Sequence, residues 1–307
     1  MEAGNQTPVT EFVLEGLSNT RELPSLFFLL YLFTLLGNAL TLLTVLCDPR
    51  LHALPMYCFL DACLSSVAVP KILAGLAGPG GRTISFGGCA VQVYAFHFLA
   101  STECFLYTVM AYDRFLAICH PLRYTVVMSG RACMGLAAGT WLTGSLCATI
   151  HTTLTFRLPY CGPNRVEYFV CDIPSVLKLA CADTAANKVV ILANIGVVAA
   201  GCFLLICISY AYIASAVLKI HTAQGRLRAF STCSAHLSLV LLFYAPLLFV
   251  YVRSYSSHVS DGAVAVFYTM FTPLLNPFIY TLRNKEMKKA LRRLAYGSVL
   301  SQNGTKS

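Results

Sequence analysis

Charge is scarce in this chain. Only 11% of its 307 residues are Asp, Glu, Lys or Arg, against 57% hydrophobic. A soluble domain carries about 25% charged residues. The shortfall excludes an ordinary water-soluble domain and makes lipid the simpler solvent. The charge that exists is lopsided, at +9 net. Its basic residues are separated by long apolar runs, which excludes the concentrated footprint of a nucleic-acid binder. Fourteen cysteines are too scattered for a small disulfide scaffold, and those inside apolar runs behave as small hydrophobes.

Further absences narrow the class. Met1 to Leu23 holds no apolar stretch ahead of a small-residue cleavage site. No cleavable leader is therefore expected, and the first apolar run directs insertion. No internal repeat is visible, and midplane carboxylates number only two, which disfavours a transporter or channel built from two similar halves. No nucleophile–base pair, phosphate loop or metal-spaced cluster is evident, so an enzyme is not expected.

Long apolar runs are what the chain has in abundance. A spanning helix needs roughly 20 mostly apolar residues. Such runs lie near 24–46, 55–77, 91–118, 132–155, 188–218, 230–252 and 262–282. They predict an all-α membrane protein, a seven-transmembrane helix bundle over 24–282, with an extracellular N-terminus over 1–23 and a cytoplasmic tail over 283–307. Lys and Arg set the orientation. Arg50, Arg123, Arg131, Lys219, Arg226, Arg228 and the cluster from Arg283 to Arg293 fall on one side, which is expected to be cytoplasmic. Glu2, Glu11, Glu15, Glu22, Glu167, Asp172, Asp183 and Asp261 fall on the other, beside fewer basic residues. Asn5 then opens a glycosylation sequon on the outer side, while the sequon at Asn303 lies inside and is expected to be silent. From Asn284 to Tyr296, basic residues intersperse with Met287, Ala290, Leu291 and Leu294. That pattern predicts a short amphipathic eighth helix on the inner membrane face.

Ionisable residues inside a span are costly and point to function. Asp61 lies in the second span, Glu103 in the third, and Asp113-Arg114 at the inner end of the third. Asn38 and Asn276 add buried amides in the first and last spans. Two carboxylates and two amides suggest a polar pocket that holds a sodium ion or a proton. The alternative is a hydrated hydrogen-bond network with one carboxyl protonated.

Four blocks carry a resemblance. Met110 to Tyr124, containing Asp113-Arg114 and His120-Pro121, resembles the third-helix signature of olfactory receptors within the rhodopsin-like G-protein-coupled receptors. Pro55-Met56-Tyr57 resembles the family's start of helix two, Arg228 to Leu237 its start of helix six, and Pro273 to Asn284 its helix-seven motif. The blocks occur in the family's order along nearly the whole chain. Phe96 to Tyr112 and Leu158 to Asp183 further resemble olfactory receptor family 10.

The resemblance implies an odorant receptor at the plasma membrane. It would bind a small organic molecule and activate a stimulatory G protein that raises cyclic AMP, with membrane lipid around it and no nucleic acid. It implies that Asp113 holds Arg114 at rest and that Arg114 swings toward the G protein on activation. Tyr210 and Tyr280 would turn inward, Pro277 would bend helix seven, and Asn276 beside it belongs to the same activation set. It pairs Cys89 with Cys171 and Cys161 with Cys181, although sequence alone allows three pairings of four cysteines. Cys63, Cys104, Cys133, Cys147, Cys202 and Cys207 in the spans, and Cys119 and Cys233 near the cytosol, are expected to be free.

A ligand pocket is expected in the outer half of the bundle. Its wall would comprise Phe96, His97, Ala100, Ser101 and Cys104 from helix three, and Asn194 and Val198 from helix five. Helix six would add Tyr244, Leu247, Leu248 and Tyr251, and helix seven Val266 and Thr269. No acidic residue is among them, so a neutral ligand is expected rather than a protonated amine. His97 and Cys104 share a face and suit either packing or a soft metal.

One departure stands out. Between Pro55 and Lys71 the chain is about six residues short of the family pattern, or roughly 9 Å and 240° of helix. Either Asp61 turns away from its pocket, or the Pro55 end is drawn into the membrane. This leaves open a receptor-like product with impaired signalling, beside a receptor of the same fold for another small ligand.

Overall fold

The computed structural model describes residues 9–15, 23–46, 54–253 and 267–283. The chain opens with strand β1 (Glu11–Leu14), then α1 (Leu23–Leu46) and α2 (Leu54–Ala77). A 3-10 turn over Pro79–Arg82 and strand β2 (Thr83–Ser85) lead into α3 (Phe86–Cys119). Next come the short α4 (Pro121–Val127), α5 (Gly130–Phe156), strand β3 (Arg165–Val166) and the short α6 (Ile173–Leu177). The helices α7 (Ala185–Leu218) and α8 (Ala223–Arg253) follow, and a π-helical turn over Phe267–Phe271 enters α9 (Thr272–Arg283). The tail expected to form an eighth amphipathic helix lies outside the described residues.

The burial pattern is inverted relative to a water-soluble helix. On α1 the buried face is Phe27, Thr34, Asn38, Thr41 and Thr44, at helical spacing. Leu26, Phe28, Leu29, Phe33, Leu36, Leu40 and Leu43 face outward. Thr34, Thr41 and Thr44 each donate to the carbonyl four residues back, at 2.7–2.8 Å, so these hydroxyls need no water. On α7 the outer face is likewise Val189, Leu192, Val197, Leu204 and Leu205. Apolar side chains outside and satisfied polar ones inside are what a bundle does when its solvent is lipid. By length and composition α1, α2, α3, α5 and α7 can each cross a membrane, and α8 makes a sixth when counted across its bend.

Caps explain where helices begin. The side chain of Ser85 accepts from Gly88 N at 3.0 Å, starting α3 five residues ahead of the expected 91. Ser129 caps α5 through Ala132 N. α8 starts at Ala223, ahead of the expected 230, because its first turns are polar and continue the helix past the apolar run.

The second span keeps Asp61 in place. α2 is one helix of 24 residues that runs through Pro70. Asp61 is 1% exposed and accepts from Asn276. The alternative in which Asp61 turns away is therefore not realised; the other end of the helix begins at Leu54. That end is held from the side. Trp141 on α5 directs its indole N–H at the Met56 sulfur, 3.2 Å away, and stacks obliquely near Phe59.

One end of the bundle carries a small sheet of order β2-β1-β3. β1 runs antiparallel to β2, with Phe12 opposite Ile84, and parallel to β3, with Leu14 opposite Val166. Phe12 is fully buried against Phe86 and Tyr160. The hydrophobic cluster beneath the sheet includes Cys89, Val93, Cys171 and Val176. A second cluster, around Leu64, Tyr107, Ile206, Leu239 and Phe243, joins α2, α3, α7 and α8 in the bundle centre.

Candidate functional site

The bundle centre gathers polar side chains from α1, α2, α3 and α9. Asn38 donates to Thr34 O at 2.9 Å and to Pro273 O at 3.0 Å. Both Asp61 carboxylate oxygens accept from Asn276 Nδ2, at 2.9 and 3.0 Å. Glu103 accepts from Tyr107 Oη at 2.7 Å and lies close enough to Asp61 to act on its charge. Asn38, Asp61, Glu103 and Asn276 are each 2% exposed or less. The carbonyl oxygens Asn38 Oδ1 and Asn276 Oδ1 have no hydrogen-bond partner among the described residues. Pro277 sits against Gly37 of α1.

A hydrogen-bond chain leads from this centre toward Arg114. His236 on α8 lies between Tyr107 on α3 and Tyr210 on α7. Its Nε2 is 3.1 Å from Tyr107 O, a carbonyl that can only accept, so Nε2 carries the proton. Its Nδ1 must then accept from Tyr210 Oη, 2.7 Å away. One imidazole thus pins α8 to α3 and α7. Sequence reading quoted His236 within a motif and gave it no role. The available signal was a lone imidazole in an apolar helix, together with the four-residue step from Glu103 to Tyr107.

At that end Arg114 Nε lies 3.7 Å from Asp113 Oδ2, a loose ion pair in which Nε makes no hydrogen bond among the described residues. Asp113 is held more firmly by Tyr124 on α4, whose hydroxyl donates at 2.8 Å. Burial, and next the Asp113 bond, push the Tyr124 phenol up to about 12, so it stays a donor at physiological pH. The Arg114 charge also acts on Tyr210 and His236.

The opposite end is cross-linked. Cys89 is bonded to Cys171 and Cys161 to Cys181. Gln92, one turn below Cys89, donates to Val67 O at 3.0 Å and accepts from Cys171 N at 2.8 Å, tying α2, α3 and the bridged loop together. The Tyr160 hydroxyl donates to Thr155 O, and burial pushes its phenol up to about 12. Cys63, Cys104, Cys119, Cys133, Cys147, Cys202, Cys207 and Cys233 are free.

Between the ends, Phe96, Cys104, Val198, Tyr244 and Leu247 meet in the central apolar cluster. Tyr244 is 3% exposed, and its hydroxyl has no hydrogen-bond partner among the described residues. Thr269 is buried. Ala100, Ser101 and Asn194 are half-buried. His97 stacks obliquely on His151 of α5, ring centres 4.8 Å apart. His151 is a polar group on the fourth span that sequence reading did not select. Val198 also borders an outward-facing groove of about 570 Å³ between α3, α5 and α7. Asn5 and Val266 lie outside the described residues, as do the side chains of Leu248, Tyr251 and Tyr280. Among the described residues no group of three or more His, Cys, Asp or Glu could hold a metal ion.

Comparison with known proteins gives a consistent result. Residues 27–297 match the olfactory receptor family model. The chain is similar to human olfactory receptor 10S1, at 60% identity over 304 residues covering 96% of this chain and 92% of that protein. It is 57% identical to human olfactory receptor 10G2 over 94% of this chain and 96% of the relative, and 54% identical to human olfactory receptor 10G7 over 97% and 99%.

Proposed function

This chain belongs to the olfactory receptor family, and on that premise we propose that its odorant signal passes to a stimulatory, cyclic-AMP-raising G protein. It is an odorant receptor of the multi-pass plasma-membrane kind, coupled to G protein and not an enzyme. The observation that carries the proposal is the loose Arg114–Asp113 pair beside the His236 latch. An arginine near a membrane interface needs a partner, and a weak one can be exchanged. Outward movement of α8 would break the His236 bonds, free Tyr210 and release Arg114 toward the G protein. Asn276, Pro277 and Tyr280 would accommodate the shift in the last span.

The N-terminus faces outside in this reading. Disulfides persist in oxidising compartments, and both bridges lie at the sheet end. The basic residues Arg123, Arg131, Lys219 and Arg226 belong to the other end, which the excess of Lys and Arg assigns to the cytosol. Asn5 is then a glycosylation site, and lipid packs against the outward leucines of α1.

The odorant pocket lies in the outer half, walled by Phe96, His97, Ala100, Ser101, Cys104, Asn194, Val198, Tyr244, Leu247 and Thr269, with Leu248, Tyr251 and Val266 completing it. The wall suits a small neutral molecule with one or two hydrogen-bonding groups. Asp61 and Glu103, with the unpaired oxygens of Asn38 and Asn276, form an oxygen-rich set that fits a sodium ion or a shared proton. That ion would hold the two carboxylates together and so favour the resting bundle.

The test is an odorant screen in transfected cells, reading cyclic AMP and surface receptor in parallel. A ligand-driven rise is expected. Robust surface delivery with ligand responses carried only by an inhibitory G protein would overturn the coupling proposal.

A further inference from the structure

The fourth span, α5, is the unexpected contributor to the pocket wall. His151 on α5 is 1% exposed, yet its Nδ1 has no hydrogen-bond partner among the described residues. Asn194 on α7 interacts with it, but Asn194 Oδ1 is also buried without such a partner. His97 closes the third side from α3, with Phe96 edge-on to it at 5.6 Å. The close approach of α3 and α5 is set by Gly144. A Cβ there would stand 3.1 Å from Phe98 O and Thr102 N, and would strike the Thr102 hydroxyl. Two buried polar atoms, on side chains of different helices close enough to interact, therefore lack a well-formed hydrogen bond among the described residues.

Their chemistry defines what would satisfy both. Asn194 Oδ1 can only accept a hydrogen bond. His151 Nδ1 donates or accepts according to tautomer. A hydroxyl can donate to Oδ1 and accept from Nδ1–H at once. A carbonyl or ether oxygen accepts only and leaves Oδ1 unpaired, which is costly in a buried site. We propose that His151 and Asn194 form the polar anchor of the odorant pocket, selecting small apolar alcohols over aldehydes and ethers of the same skeleton. The inference rests on the odorant-receptor reading and names its ligand class. The neighbouring Phe96, Val198 and Leu247 take the apolar skeleton.

The test uses purified full-length receptor in lipid nanodiscs and two matched sets of probes. One set is benzyl alcohol, benzaldehyde and benzyl methyl ether. The other is 1-octanol, octanal and heptyl methyl ether. The readout is the probe concentration for half-maximal thermal stabilisation, which needs no G protein. At least one alcohol should act at about tenfold lower concentration than its aldehyde and ether, the effect of one hydrogen bond in a buried site. His151→Phe and Asn194→Leu should each bring that difference to within about twofold, while His151→Gln, which keeps a donor, retains most of it. The ligand-free melting temperature of each variant shows whether it has folded, and the two sites provide independent arms. Equal potency of alcohol and ether overturns the proposal, as does stabilisation by no alcohol. A carbonyl preference, which an Asn194 amide turned end for end would produce, overturns it too. Cyclic AMP is read separately in cells. Odorant responses without alcohol selectivity would remove the anchor and leave the receptor reading standing. Alcohol-selective binding without any cyclic AMP would do the reverse.

Discussion

The two ends of the bundle are held by different kinds of force. At the sheet end, two disulfides, three paired strands and the Gln92 bridge fix α2, α3 and the loop before α7 to one another. At the Arg114 end the ties between elements among the described residues are single hydrogen bonds, beside a 3.7 Å ion pair within α3. Covalent and strand constraints contribute whole kilocalories, whereas each hydrogen bond between neutral groups contributes about 1 kcal/mol net. The difference separates the tasks of a receptor. In the function proposed above, the end that would shape the ligand pocket is the rigid one, and the end that would open is latched by contacts that can be exchanged one at a time.

Breaking the rigid end should have the largest effect. Phe12→Ala empties a fully buried ring site under the sheet and should cost about 3–5 kcal/mol. It would show as rapid proteolysis of the loop around residues 158–184 and poor surface staining. Cys89→Ser removes the bridge to Cys171. It should cost about 2–4 kcal/mol and reduce surface receptor severalfold by flow cytometry. Gly144→Val pushes α5 off α3, an overpacking change of about 1–3 kcal/mol. A lowered melting temperature and a weakened alcohol preference should appear together. The smallest change belongs to the exchangeable end. Tyr124→Phe deletes the 2.8 Å bond to the Asp113 carboxylate, worth about 1.5 kcal/mol. Surface expression should hold while basal cyclic AMP rises a fewfold; unchanged or lower basal signalling would place no latch at Tyr124.

Much of this comparison was legible in the sequence. The apolar runs predict the helices because spanning length and composition are local properties. Asp61, Glu103, Asn38 and Asn276 stand out because polar residues are rare in those runs, and the structure brings all four to the bundle centre. The sheet was not legible. Glu11–Leu14 is a four-residue strand whose partners lie far along the chain, at Thr83–Ser85 and Arg165–Val166, and no local periodicity signals such a pairing. The His97–His151 contact was hidden for the same reason, since it depends on how closely Gly144 lets α5 approach α3. The expected shortening of the second span left the direction of Asp61 open. The Asn276 bond fixes the register at Asp61.

The central claim is that the odorant signal leaves through the exchangeable end, at Arg114. Its most direct test is Arg114→Ala, measured for odorant-driven cyclic AMP at matched surface expression. The account predicts that surface receptor is largely unchanged, because the sheet and disulfides are untouched, and that the cyclic AMP response is lost. Odorant-driven cyclic AMP that survives the substitution would contradict it.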